Sequence, residues 1–166
     1  VSKSSRLAQV PFYNAYHFFT LYANADGIKA YELNSDTVKN ISNSLDKYIL
    51  TKLAKLANDV KFSLNNYEIS SACKRVEQFL EILNNWYIRI NRVRFWGTNG
   101  NVTDQKIAFD VLYTVLINLC KIVAPMMPFT TEFIFKNLTG LESVHIEDYP
   151  NMLFFEKFAD SELESD

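Results

Sequence analysis

The residues best suited to chemistry lie in one run, Asn85-Trp86-Tyr87-Ile88-Arg89-Ile90-Asn91-Arg92-Val93-Arg94-Phe95-Trp96. It holds both tryptophans of the chain and three of its five arginines. A guanidinium is permanently charged, presents a planar fork of donors that matches phosphate oxygens, and stacks on aromatic faces. Interleaved with aromatic rings, such groups suit an anionic partner that also offers flat surfaces, namely a phosphate backbone with unpaired bases. No acid occurs between residues 82 and 103, so nothing in the local sequence neutralises these cations.

Catalytic chemistry has little to stand on. His17 and His145 are the only histidines, and neither has a serine, cysteine or carboxylate at a diagnostic spacing. His145 precedes Glu147 and Asp148, a weak metal signal, and His17 lies among aromatics, as a structural histidine would. Cys73 and Cys120 stand alone and read as free buried thiols in a reducing compartment. There is no glycine-rich phosphate loop. No metal or cofactor site is expected in this chain.

The elements that must carry the arginines are helical. With four glycines and four prolines in 166 residues, the chain is built of long regular elements with few turns. An apolar stripe of Phe12, Ala15, Phe19, Tyr22 and Ala23 predicts a helix over residues 10–26, with Pro11 near its start and Gly27 past its end. A second helix is expected from Ser35 or Asp36 to about Leu64. Asn65-Asn66-Tyr67-Glu68 resembles a capped restart, opening a third helix to Trp96 whose stripe is Ile69, Cys73, Val76, Leu80, Leu83, Trp86, Ile90 and Val93. Gly97 to Asn101 ends it. A very apolar fourth helix follows from Asp104 to Ala124, then a proline break at Pro125 and Pro128, and a short fifth helix to about Leu138. The expected fold is all-α, an antiparallel bundle of about five helices over residues 1–150, with an acidic tail over 151–166 that has room for one short helix.

On the third helix, at about 100° per residue from Trp86, Ile90 and Val93 fall on the core side. Arg89 and Arg92 then share one flank, and Tyr87, Asn91 and Arg94 the other. Charge supports an anionic partner. The formal net charge is −2, yet residues 36–97 carry ten basic and six acidic groups, and the negative excess sits at the C-terminal end. No apolar run is long enough to cross a membrane. Without an initiator methionine or an apolar leader, the sequence is expected to be a cytoplasmic segment of a longer protein.

Four blocks in order resemble class I isoleucyl-tRNA synthetases. Pro11-Phe12-Tyr13-Asn14-Ala15-Tyr16-His17-Phe18-Phe19 resembles the first helix of the family's bundle. Asn85 to Arg89, with Arg92, Arg94, Phe95 and Trp96, is similar to its Trp-Tyr-Ile-Arg…Arg-Phe-Trp segment. Ala124-Pro125-Met126-Met127-Pro128-Phe129-Thr130 and Glu132 resemble its proline break, and Ser143 to Pro150 its Ser-Val-His…Pro turn. Ile90 and Val93 depart from a pattern that carries further basic residues there. The resemblance implies the anticodon-binding domain, with isoleucine tRNA and the rest of the synthetase chain as partners, and neither membrane nor DNA. ATP and magnesium would serve the full-length ligase, whose catalytic and editing parts lie upstream. With that role, the helix geometry makes Arg89, Asn91, Arg92, Arg94 and Trp96 the residues expected to meet the anticodon stem-loop, with Lys74 and Arg75 toward the stem. The alternatives are the equivalent domain of a valyl- or leucyl-tRNA synthetase and a helical protein-interaction module.

Overall fold

The structure is a computed structural model that describes residues 2–98 and 100–150, with side chains from Ala8 onward. Among these residues there are six α-helices and no strand: α1 (Ser2–Ala25), α2 (Ser44–Asn65), α3 (Ile69–Ile82), α4 (Arg92–Trp96), α5 (Val102–Val123) and α6 (Pro128–Thr139). None is long and apolar enough to cross a membrane. The expected tail over residues 151–166 lies outside the described residues.

Helix α5 is the axle. Phe109, Leu112, Val115, Leu116 and Leu119 are all fully buried, as an almost uniformly apolar helix requires. Helices α1, α2, α4 and α6 pack around it, and α3 closes the bundle against α1 and α2. The short turn after Asn65 folds α3 back along α2, so that Asp59 meets Arg75 while Tyr48 meets Trp86. This is the antiparallel arrangement that a short connection favours.

Three expected boundaries are corrected. Helix α1 begins at Ser2 and runs through Pro11; Ala8 and Phe12 bury one continuous face on either side of the proline. The second helix does not begin at residue 35 or 36. Thr37–Asn40 form a separate 3₁₀ turn, Ile41 is extended, and α2 starts at Ser44. Its cap is Asn43, whose side chain accepts from the Leu45 and Asp46 N–H groups at 2.8 and 3.3 Å. The restart at Asn65–Glu68 is not a capping box either. Tyr67 takes φ +58°, and Glu68 makes no side-chain cap.

The largest correction concerns the third helix, which is not one α-helix to Trp96. A π-helical segment, Leu83–Ile88, separates α3 from α4. Its i→i+5 bonding widens the turn, so each residue advances the helix by a smaller rotation and everything downstream is turned back. On a straight α-helix counted from buried Val76, Ile90 would lie within about 40° of the core line and Phe95 about 100° from it. The structure inverts this: Phe95 is 0% exposed and Ile90 52% exposed, and Val93, expected inside by counting from Trp86, is 50% exposed.

Candidate nucleic-acid interface

The arginine run divides into an inner and an outer set. Inside are Tyr87, Ile88, Asn91, Arg94 and Phe95, all buried. Arg94 grips two carboxylates at once. Its Nη1 and Nη2 donate to Asp46 Oδ1 and Oδ2 at 2.8 and 2.9 Å, and its Nε and Nη2 donate to Asp104 Oδ2 and Oδ1, each at 2.9 Å. Nη1 also donates to Asn91 Oδ1 at 3.0 Å. Tyr87 donates its hydroxyl to Asp46 Oδ1 at 2.6 Å, and Asn91 Nδ2 donates to the Tyr87 carbonyl at 2.8 Å. The placement of Asn91 and Arg94 on an outer flank is therefore corrected. Every nitrogen of the guanidinium is already engaged within the chain, and the node ties α4 to the first turns of α2 and α5.

The local sequence explains the node. Asp46 and Asp104 occupy the first turns of their helices, where the unpaired N–H groups favour negative charge. Asn101 caps α5 by accepting from the Asp104 N–H at 3.0 Å. Gly97 closes α4 at φ +69°, and Gln105 Nε2 holds that end by donating to the Phe95 carbonyl at 3.0 Å and to Asp26 at 2.9 Å. Burial alone would push the Arg94 guanidinium down, but its hydrogen bonds to Asp46 and Asp104 outweigh this and hold it above its ordinary value. Burial, and then the charge of Asp46, pushes the Tyr87 phenol well up.

Outside are Arg89, Ile90, Arg92, Val93 and Trp96, all exposed. Arg89, Arg92, Val93 and Trp96 follow the i, i+3, i+4, i+7 spacing of one helix face. Among the described residues no carboxylate forms an ion pair with Arg89 or Arg92. Arg92 stands at a cleft between α1 and the π segment that also includes Asn14, Glu77, Glu81 and Asn85. Trp96 lies 6.4 Å from Tyr22. The outer face thus combines two guanidinium groups, without an ion pair among the described residues, with exposed apolar and aromatic surface, which suits phosphates together with stacked bases.

The remaining predicted residues lie apart from this face. Lys74 and Arg75 are exposed on α3, with Arg75 in a long 3.7 Å contact to Asp59. Trp86 is half-buried, edge-on to Tyr48 at 4.8 Å. His145 Nε2 lies 3.1 Å from Glu132 Oε2, which also accepts from Ser143 Oγ at 2.8 Å. No cluster of three metal-ligating side chains occurs among the described residues. Asp46, Tyr87 and Asp104 are the frame residues that sequence reasoning missed. A signal existed: Asp46 is in phase with Ile49, Leu53 and Val60, and Arg94 with Leu80, Leu83 and Tyr87. An acid and a base on two apolar stripes point to a buried pair.

Comparison with known proteins shows the family. The anticodon-binding domain of tRNA ligases matches residues 46–165, and the chain belongs to that family. It is similar to isoleucine–tRNA ligase of Wolbachia pipientis wMel, at 42% identity over 154 residues, covering 92% of this chain and 13% of that protein. Isoleucine–tRNA ligase of Corynebacterium efficiens is 41% identical over 160 residues, covering 96% and 14%. That of Bifidobacterium longum is 38% identical over 162 residues, covering 95% and 14%. The chain therefore spans 13–14% of the length of these curated relatives. The resemblance drawn from the four sequence blocks is borne out.

Proposed function

We propose that this chain is the part of a cytoplasmic isoleucine–tRNA ligase that holds the anticodon stem and loop of isoleucine tRNA. Arg89 and Arg92 neutralise loop phosphates or stack on splayed bases, and Trp96 offers a further stacking surface. Lys74 and Arg75 meet the stem. Asn91 and Arg94 hold α4 in place from within. Amino-acid activation, with its ATP and magnesium, belongs to the remainder of the ligase.

The observation that carries this role is the outer face that runs from Arg89 into α4: two arginines without an ion pair among the described residues, beside exposed Val93 and Trp96, on a helix fixed from beneath by Arg94. Titration with isoleucine tRNA, unaltered and with a substituted anticodon, tests it. Binding should prefer the native anticodon and weaken with salt. Each phosphate contact contributes about 0.7–0.9 to the log–log salt slope, so Arg89→Ala with Arg92→Ala should lower the slope by about 1.4–1.8. Binding that ignores both the anticodon and these two substitutions would remove α4 from the interface.

A further inference from the structure

A second basic surface lies apart from the α4 face, in the groove between α2 and α3. Along α2, Tyr48, Lys52, Lys55 and Asp59 follow one another at intervals of four, three and four residues. Along α3 and the π segment, Arg75, Gln78, Ile82 and Trp86 do so at three, four and four. Such intervals place each set on one helix face, and the antiparallel pairing brings the two faces together. Lys52, Lys55, Asp59, Arg75, Gln78 and Ile82 line a shallow open cleft, and Tyr48 and Trp86 close its far end edge to face.

The chemistry of this groove changes along its length. Arg75 and Lys55 stand at one end with Asp59, the only acid in the lining. The Arg75–Asp59 contact is long, at 3.7 Å, and half of the Arg75 side chain is exposed. Lys52 Nζ lies 5.4 Å from the centre of the Tyr48 ring, so its charge leans toward the aromatic end of the groove. Beyond Trp86, the next turn of helix carries Arg89. Arg75 and Trp86, at the two ends of the groove, are separated by 11 residues, or about 16 Å of helix. A shallow, cationic strip of that length fits a linear polyanion better than a small molecule.

We propose that the α2/α3 groove is a second RNA-binding surface, taking the sugar–phosphate backbone of a base-paired stem on Lys52, Lys55 and Arg75. The loop of the same RNA lies on α4. The proposal rests on the RNA-binding role above and extends it to a sequence-independent grip made by α2. Backbone contacts to a stem position the RNA without reading its bases. The groove should therefore set affinity, and the α4 face should set preference for the loop.

The test uses the whole chain with three RNAs: isoleucine tRNA, the same tRNA with a substituted anticodon, and a hairpin that keeps the anticodon stem under an unrelated loop. Three double variants are compared after thermal melting has confirmed folding: Lys52→Ala with Lys55→Ala, Arg89→Ala with Arg92→Ala, and, as a control with equal loss of charge, Lys39→Ala with Lys136→Ala. At about 0.1 M salt, counterion release gives each contact about five- to eightfold, so the groove variant should lose about 25- to 60-fold for all three RNAs. Its ratio between native and substituted anticodons should stay unchanged, and the control should bind as the parent does. Parental affinity and salt slope in the groove variant, with binding lost in the Arg89/Arg92 variant, would overturn the groove and leave the α4 role standing. Equal weakening by the control would overturn it too, since net charge alone would then explain the loss. Stem binding that needs Lys52 and Lys55 but not Arg89 and Arg92 would uphold the groove and refute the α4 role. No binding of any RNA by the parent would refute both.

Discussion

Replacing Arg94 with methionine separates a framing guanidinium from a surface ligand. Methionine keeps much of the length and removes the charge and all the donors. Two hydrogen bonds to Asp46, two to Asp104 and one to Asn91 would be lost. Asp46, fully buried, would retain a side-chain hydrogen bond from the Tyr87 hydroxyl. Removing one partner of a buried ion pair costs about 3–5 kcal/mol, because the other charge is stranded. A domain of this size has about 5–15 kcal/mol in all. At about 2–4 °C per kcal/mol, the midpoint of thermal unfolding should fall by about 6–20 °C. Arg94→Lys should fall between, since one ammonium cannot fork onto two carboxylates. Adding Asp46→Leu to Arg94→Met should recover part of the loss, because the stranded charge goes with it. Exposed Arg89→Met should change stability by no more than about 0.5 kcal/mol. Calorimetry and urea unfolding measure all of these. An Arg94→Met protein that melts within about 2 °C of the parent, yet loses as much RNA affinity as Arg89→Ala, would refute the framing role and return Arg94 to the surface.

Two further outcomes follow from the same site. The Tyr87 phenol is raised from 10.0 by burial first and the Asp46 charge second; above pH 10 the unfolded chain sheds that proton while the folded chain keeps it. Its contribution is complete below that pH and is lost as pH rises toward the folded value, so denaturant unfolding should show stability declining above about pH 10, less steeply in Tyr87→Phe. Gly97→Ala would force a side chain into the left-handed region and bring its Cβ to 2.9 Å from Gln105 Nε2. A cost of about 1–2 kcal/mol is expected, measurable by chemical denaturation.

Much of the bundle was legible because burial follows period. The stripe of the first helix places Phe12, Ala15, Phe19 and Ala23 inside, and the very apolar fourth helix is the buried α5, as the structure has them. Gly97 and Gly140 end their helices in the left-handed conformation. What failed was phase. Counting from Trp86 set the core line on a residue that is only half-buried, and no local signal announces a π segment, which arises where packing on both sides fixes two faces that an α-helix cannot serve together. Counting from Val76 and Leu80 would have put Tyr87, Asn91 and Arg94 on the inner side, but not Phe95. Side-chain hydrophobicity also misled: Ile90 and Val93 look like core residues and lie outside, while Asp46 and Arg94 look like surface residues and lie within. A charged pair can be enclosed when each group satisfies the other, and a list of single residues does not reveal such mutual satisfaction.

The separation of the two tryptophans has an optical consequence. Trp86 sits edge-on to Tyr48 at the end of the α2/α3 groove, and Trp96 lies exposed near Tyr22 at the end of α4. No other indole is present in the chain. The protein therefore carries one tryptophan fluorophore on each of its two basic surfaces. Substituting either ring with phenylalanine leaves a single indole, so with excitation at the red edge of its absorption, where tyrosine does not absorb, occupancy of the groove and of the α4 face can be followed separately in solution without attaching a dye.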